Sequence, residues 1–236
     1  MEHVIDVNLS GLTIPCRFRY PETARYFPNP DPAARRVEDC VVSISDEAWR
    51  SLLAEGLEPC AHTEYSLLTA FFSDALMEYD RMILHGAALR WKDQAYLICA
   101  KSGVGKSTQA RILQELRPGE FGVICGDRPI ISFHENEIDV CPSPWNGKEN
   151  WHGAEAAPLA GLILLRRGEE NGIAPLEPRE AALRSYAQVI QTCTDPKKME
   201  KAADLLTKLL YSVPIWQLTT FQVPDSAKLL LNSVFS

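Results

Sequence analysis

The sequence predicts an α/β protein: a mixed, largely central sheet that carries a phosphate-binding loop, flanked by helices, with a small N-terminal α+β lobe. Three observations lead there. AKSGVGKST, Ala100–Thr108, stands between an apolar strand-like run and a segment of helical spacing, the setting in which such a loop works. Short apolar runs alternate with amphipathic segments through the rest of the chain. Four prolines between Tyr20 and Arg36 separate a first hairpin from the strand and helix beyond them.

The elements run in order along the chain. VIDVNLSGLTIPCRFRY, 4–20, alternates apolar and polar residues about Ser10-Gly11 and reads as a β-hairpin. YPETARYFPNPDPAARR, 20–36, reads as loop or linker rather than core. DCVVSIS, 39–45, reads as a strand and DEAWRSLLAEG, 46–56, as a short helix, closing a lobe over residues 1–61. From Thr63 to Tyr79 the residues Leu67, Leu68, Phe71, Phe72, Ala75 and Leu76 recur at helical spacing, and this helix covers the sheet of a nucleotide-binding domain over residues 62–236. MILHGAALRW, a Lys92-Asp93 turn and AYLICA read as strands running into the glycine loop, and Lys106–Leu116 as the helix after it. FGVICGDRPIISF and NEIDVCPS read as strands about a His134-Glu135-Asn136 turn, and LAGLILLRRG as a buried strand. The C-terminal part reads as two amphipathic helices, PREAALRSYAQVIQ and PKKMEKAADLLTKLLYSV, then the strand PIWQLTTF and the helix PDSAKLLLNSVF.

Composition narrows the function classes. Of 236 residues, 46% are hydrophobic and 23% charged, the profile of a globular protein. A net charge of -7 without any basic run argues against nucleic acid or an anionic membrane as partner. No apolar run reaches spanning length and MEHVIDVNLS lacks a signal layout, so the expected location is cytoplasmic. The seven cysteines contain no CxxC pair and read as buried, reduced thiols rather than a zinc site.

The loop has a direct physical reading. Gly103 and Gly105 permit a compact turn whose N–H groups converge on an anion, so Ser102, Gly103, Val104, Gly105, Lys106, Ser107 and Thr108 are the expected nucleotide contacts. Lys106 places an ammonium among phosphate oxygens and Ser107 offers a hydroxyl to Mg²⁺. Ala100 stands where the common pattern begins with glycine, and a small residue suffices at that entry. His85 precedes Lys106 by 21 residues, and a hairpin would return it to the loop; a structural histidine at a strand end is the other reading. Asp127 comes after a strand and is either a group facing the phosphates, as Mg²⁺ ligand or base, or a turn residue before Arg-Pro. In SPWNGKENW, Pro144 and Gly147 make a turn, Trp145 offers an apolar wall, and Lys148 and Glu149 sit at its tip; it reads as a lid over phosphates or as a surface turn anchored by tryptophan. Arg166-Arg167 leave a buried strand where α/β sheets bind ligands, either to neutralise phosphoryl charge or as a solvated strand end.

His85-Gly86, a β-hairpin, SGVGKS and GDR, in that order, resemble the HPr kinase/phosphorylase group of the phosphoenolpyruvate carboxykinase fold. SGVGKST, GDRPII and PWNGKE are similar to motifs of a set of small relatives within that group. The resemblance covers about residues 82–170, with weaker similarity in VPIWQL and PDSAKLL. It implies an HPr kinase C-terminal-like mixed sheet and ATP- and Mg²⁺-dependent phosphoryl transfer to a hydroxyl acceptor, with Lys106 and Ser107 serving ATP and Mg²⁺ and His85 an active-site histidine. The family's first aspartate, its general base, falls at Gly126, which leaves Asp127 for that role. The implied catalytic set is Asp127, His85 and Lys106, with Lys148 on the phosphates and Ser107, Asp127 and Glu149 toward the metal. A nucleotide-sensing module without transfer and, third, carboxykinase chemistry remain alternatives. The acceptor is open among protein, peptide and small alcohol, and the oligomeric state is open, a homo-oligomer included.

Overall fold

The computed structural model describes residues 4–29, 31–38, 40–151, 153 and 155–235. Strands β1 (Val4–Leu9) and β2 (Leu12–Arg17) pair antiparallel, with Leu9 opposite Leu12. Ser10 and Gly11 both take positive φ, 51° and 74°, which matches the twist a two-residue hairpin turn requires. The short β3 (Arg35–Arg36) runs parallel to β2.

The proline-rich segment differs from its reading as linker. Pro21–Tyr26 form a 3-10 turn, Thr23 is buried, and Phe27 enters the core. The cause is an aromatic placed between prolines and a carboxylate waiting for the backbone. Glu64, 1% exposed, accepts from Arg19 N (2.6 Å), Tyr20 N (3.0 Å) and Thr23 Oγ1 (2.6 Å), so the oxygens of this buried carboxyl group are satisfied by three donors. DCVVSIS is not a strand over its described residues, since Asp39 lies outside them. Val42 alone bridges Cys16, and Ser45 turns to cap α1 (Asp46–Leu53) by accepting from Ala48 N. Helix α2 (Ala61–Met77) comes next.

The run MILHGAALRW, expected as one strand, breaks at His85 into β4 (Arg81–Leu84) and β5 (Gly86–Trp91). Beyond it come β6 (Gln94–Cys99), α3 (Lys106–Leu116), β7 (Phe121–Cys125), β8 (Ile130–Phe133), β9 (Ile138–Cys141), β10 (Ala157–Arg167) and β11 (Gly172–Pro175). PREAALRSYAQVIQ is helical only as α4 (Pro178–Tyr186). Its Val189–Ile190 are β12, paired with Leu84 and Ile83, because two β-branched residues at a sheet edge gain more from pairing than from helix. The chain ends with α5 (Pro196–Ser212), β13 (Ile215–Thr220) and α6 (Val223–Val234).

The ten strands from β4 onward form one mixed sheet, in the order β12-β4-β8-β9-β10-β6-β5-β7, with β13 beside β10 and β11 beside β13. Within it β10 runs parallel to β6 and to β13, and the other described pairings are antiparallel. Alternation of side chains divides β6 and β10 between two cores. Leu97, Cys99, Leu162 and Leu164 pack under α4 and α5, whereas Ile98, Ile163 and Leu165 pack under α3 and α6. A third core joins Val7, Leu12 and Trp49 to Phe72 of α2 and to Ile83, Ile130 and Trp145. No described helix is long and apolar enough to cross a membrane. All seven cysteines are unpaired; Cys16, Cys99, Cys125 and Cys141 are buried as expected, but Cys40 and Cys60 are partly exposed and Cys193 lies on the surface.

Candidate nucleotide site

The loop after β6 ends at Gly105, whose φ of 118° only glycine adopts without strain, and α3 begins at Lys106. No side chain caps the helix. Gly105, Lys106, Ser107 and Thr108 at its start line the cavity in front of the loop, where the helix dipole adds its positive end. Ala100 is buried and its carbonyl accepts from Lys106 Nζ at 3.1 Å, so the departure from glycine leaves the lysine anchored.

Three charged or titratable side chains meet at this point. His85 Nε2 lies 3.1 Å from Lys106 Nζ and 3.3 Å from Asp127 Oδ1. The break between β4 and β5 aims His85: its backbone N–H donates to Gln188 O at 2.7 Å, and Gly86 N donates to Asp127 O at 2.8 Å. Arg128 Nε is 3.4 Å from Asp127 Oδ2, a charge contact too poorly aligned to count as a hydrogen bond. The same guanidinium is held to α2 through Ser66 O (3.1 Å) and Thr69 Oγ1 (2.7 Å). Burial pushes the Lys106 ammonium below its ordinary pKa, and the Asp127 carboxylate offsets only part of that. Burial pulls Asp127 upward, but the hydrogen bond and charge of His85, with Arg128 and Lys106, outweigh it and hold the carboxyl below the usual range.

These groups border one cavity of about 530 Å³. Ser102, Gly103, Gly105, Lys106, Ser107 and Thr108 line its loop side, and His85, Asp127, Lys148 and Glu149 line the other. Val104 is the exception among the expected contacts, because it turns into a neighbouring crevice. Lys148 and Glu149 are exposed at the tip of their turn. Trp145 is not a wall of this cavity: it is 2% exposed, stands 5.6 Å from the Phe27 ring and donates through Nε1 to Tyr65 O at 2.9 Å. Tyr65 Oη returns a bond to Pro144 O at 2.6 Å, so the first half of the turn belongs to the core.

Three residues of the site go beyond the sequence reading. Arg128 buttresses Asp127, which the GDR motif hints at. Gly126 has no room for a side chain, since a Cβ there would come within 2.5 Å of Asn146 O and 3.3 Å of Trp151 Cβ. Asn146, 8% exposed and on the cavity wall, keeps Oδ1 buried without a donor while its Nδ2 donates to Pro144 O. Among the described residues no cluster of three or more His, Cys, Asp or Glu forms a metal cage. The oxygens present, Ser107 Oγ, the Asp127 carboxylate and the unpartnered Asn146 Oδ1, fit a Mg²⁺ that shares its coordination with phosphate and water.

No family model matches the chain, and no curated protein does. Among solved structures it is similar to the Hpr(Ser) kinase/phosphatase from Coxiella burnetii, at 11% identity and a TM-score of 0.36, over 64% of this chain and 93% of that one. At this level of likeness neither substrate nor activity passes from that protein to this chain.

Proposed function

We propose that the chain transfers a phosphoryl group from ATP, with Mg²⁺, to a hydroxyl acceptor. The observation that carries this reading is the meeting of Lys106, His85 and Asp127 in one cavity at the uncapped N-terminus of α3. On this reading the loop N–H groups and Lys106 take the β- and γ-phosphates, and the ammonium leaves His85 for a phosphate oxygen. Mg²⁺, when bound, neutralises phosphate charge, with Ser107, Asp127, Asn146 and Glu149 as its candidate protein ligands. The acceptor oxygen bonds to the γ-phosphorus, the bond to the bridging oxygen of ADP breaks, and the acceptor proton passes to Asp127. A carboxyl held below the usual range is a weak base, but a loose phosphoryl transition state demands little proton removal. Radiolabelled ATP offered with panels of hydroxyl compounds and peptides tests the reading: a labelled acceptor with stoichiometric ADP is expected.

One observation favours a second reading, a nucleotide-binding module that does not transfer. Gly126 excludes a second carboxylate, and Asp127 is already engaged by His85 and Arg128. Tight ATP binding with no labelled product across the panel would select it.

A further inference from the structure

A second cavity opens at the carboxyl ends of β6 and β10, and its chemistry is unlike that of the first. The two strands are adjacent and parallel; β6 is followed by α3 on one face, whereas β10 is followed by β11, in the same sheet beside β13, and then by α4 on the other face. The crevice lies outside the carboxyl ends of these adjacent parallel strands, where open α/β sheets bind ligands. Here it encloses about 530 Å³, walled by Val104, Leu164, Leu165 and Ala187, with Leu183, 86% exposed, at the mouth. That size suits a small molecule with an apolar body.

Two observations specify the polar part. Gln188 lines the crevice, is 7% exposed, and holds its Oε1 buried without a hydrogen-bond donor; a buried acceptor left this way is costly until something supplies an N–H or O–H. Lys101, Arg166, Arg167 and Arg184 border the crevice, and no Asp or Glu does. The hydrogen bonds of these guanidiniums go to Thr219 Oγ1, Gly103 O and Gln217 Oε1, all neutral, and among the described residues none has a carboxylate partner. In a chain of net charge -7, four unneutralised cations at one mouth are a local site for an anion.

We propose that this crevice is the acceptor subsite and takes a small hydroxylated amphipathic anion: its apolar body between the leucines, its anionic group on the arginine rim, and a hydrogen-bond donor on Gln188 Oε1. The position suits that role. Gln188 O holds the His85 backbone, and Ala100, whose carbonyl holds Lys106, lines the same crevice. The assignment as acceptor subsite rests on the phosphotransfer reading; the assignment as a binding site does not.

The probe is 1-anilinonaphthalene-8-sulfonate, which combines an apolar body, a sulfonate and an N–H, titrated by fluorescence into the full chain, with subsequent displacement by medium-chain hydroxycarboxylates. Saturable one-to-one binding is expected, displaced by the hydroxy acids. Leu183→Asp and Arg184→Glu alter exposed side chains and should weaken it by about tenfold or more, the scale of one charge-assisted contact, with ATP affinity unchanged. Gln188→Leu should weaken it as well while leaving the apo melting temperature equal or higher, which a merely structural glutamine would not do. Unaltered probe binding in all three variants overturns the site. Loss of ATP affinity in folded variants also overturns it, by making the crevice the nucleoside pocket. If probe binding behaves as expected but no acceptor is labelled from ATP, the phosphotransfer reading has failed and the site stands. Labelling of an acceptor that persists undiminished in Arg184→Glu overturns the acceptor assignment alone.

Discussion

His85 Nε2 and Lys106 Nζ stand 3.1 Å apart, so the role of this nitrogen depends on the tautomer of the histidine. An ammonium only donates, so Nε2 accepts from Lys106 when the ring proton is on Nδ1. When Nε2 carries the proton it donates instead to Asp127 Oδ1, 3.3 Å away, the bond that helps hold that carboxyl below its usual range. We propose that a phosphate drawing Lys106 off leaves His85 Nε2 to Asp127 alone, which couples nucleotide arrival to the surroundings of the carboxylate.

The lysine side of that exchange gives the first prediction. Lys106→Ala should retain the fold and weaken ATP binding by about 1.5–3 kcal/mol, the scale of a charge-assisted hydrogen bond. Isothermal calorimetry checks it, and equal affinity in folded wild type and variant removes Lys106 from the phosphate site. His85→Ala should leave the ATP dissociation constant near that of wild type and lower turnover.

Asp127→Asn separates base from ligand. As a base, its loss should cost about a hundredfold or more in turnover with ATP binding largely kept; as a Mg²⁺ ligand, its deficit should shrink as Mg²⁺ is raised. Stability carries a second signature. The folded pKa of Asp127 is below the ordinary carboxylate value, so the ionised group stabilises the native state above that value and the contribution is lost as pH falls through the folded pKa. Urea denaturation of wild type and variant should differ at pH 7, with the difference closing below about pH 4.

Gly126→Asp tests whether the site admits a second carboxylate beside Asp127. Because a Cβ at this position meets Asn146 O at 2.5 Å, the side chain must displace the 144–149 turn. A loss of about 1–3 kcal/mol is expected, with no gain in transfer, since the carboxyl arrives by distorting its own site. A variant as stable as wild type and faster in transfer would show that the turn yields freely.

The legible and illegible parts of this site divide by sequence distance. GVGKS between a strand and a helix is readable because the glycines, the lysine and the helix start act on one another within a few residues. The return of His85 is readable because a two-residue turn at Lys92-Asp93 registers Gly86 against Cys99. Gly126 reads only as a missing aspartate, because its crowding comes from Asn146 and Trp151. Trp145 reads as a wall of the site because Phe27 and Tyr65, which bury it, belong to segments whose docking no local pattern announces. Val189–Ile190 read as helix for the same reason, since Leu84 and Ile83 recruit them from outside.

The 144–149 turn divides into halves that should behave differently. Pro144 and Trp145 are tied to Tyr65, whereas Lys148 and Glu149 are exposed beside the cavity in front of the glycine loop. We propose that the second half closes over bound nucleotide. Hydrogen exchange should show slow amides at 145–146 with and without ATP, and at 148–149 protection that appears with ATP. Lys148→Ala should then lower transfer more than ATP binding, because its contact forms chiefly in the closed state. Equal exchange at 148–149 in both states removes the closure.

The same anchor bears on how the chain is divided. We propose residues 1–61 as a lobe and 62–236 as the nucleotide-binding domain, unfolding together because Val7, Leu12, Phe27 and Trp49 share a core with Phe72, Ile83 and Trp145. Trp145 is the reporter, since it touches Phe27 of the lobe, Tyr65 and Phe72 of α2, and the turn beside the site. Trp145→Ala should cost about 3–5 kcal/mol, which at ~2–4 °C per kcal/mol for a chain of this size lowers the melting temperature by about 6–20 °C. Far-ultraviolet circular dichroism and tryptophan fluorescence should trace one coincident transition in wild type and in the variant. Two resolved transitions, only one of them shifted by the substitution, would mean that the lobe and the domain unfold separately and that the shared core couples them only weakly.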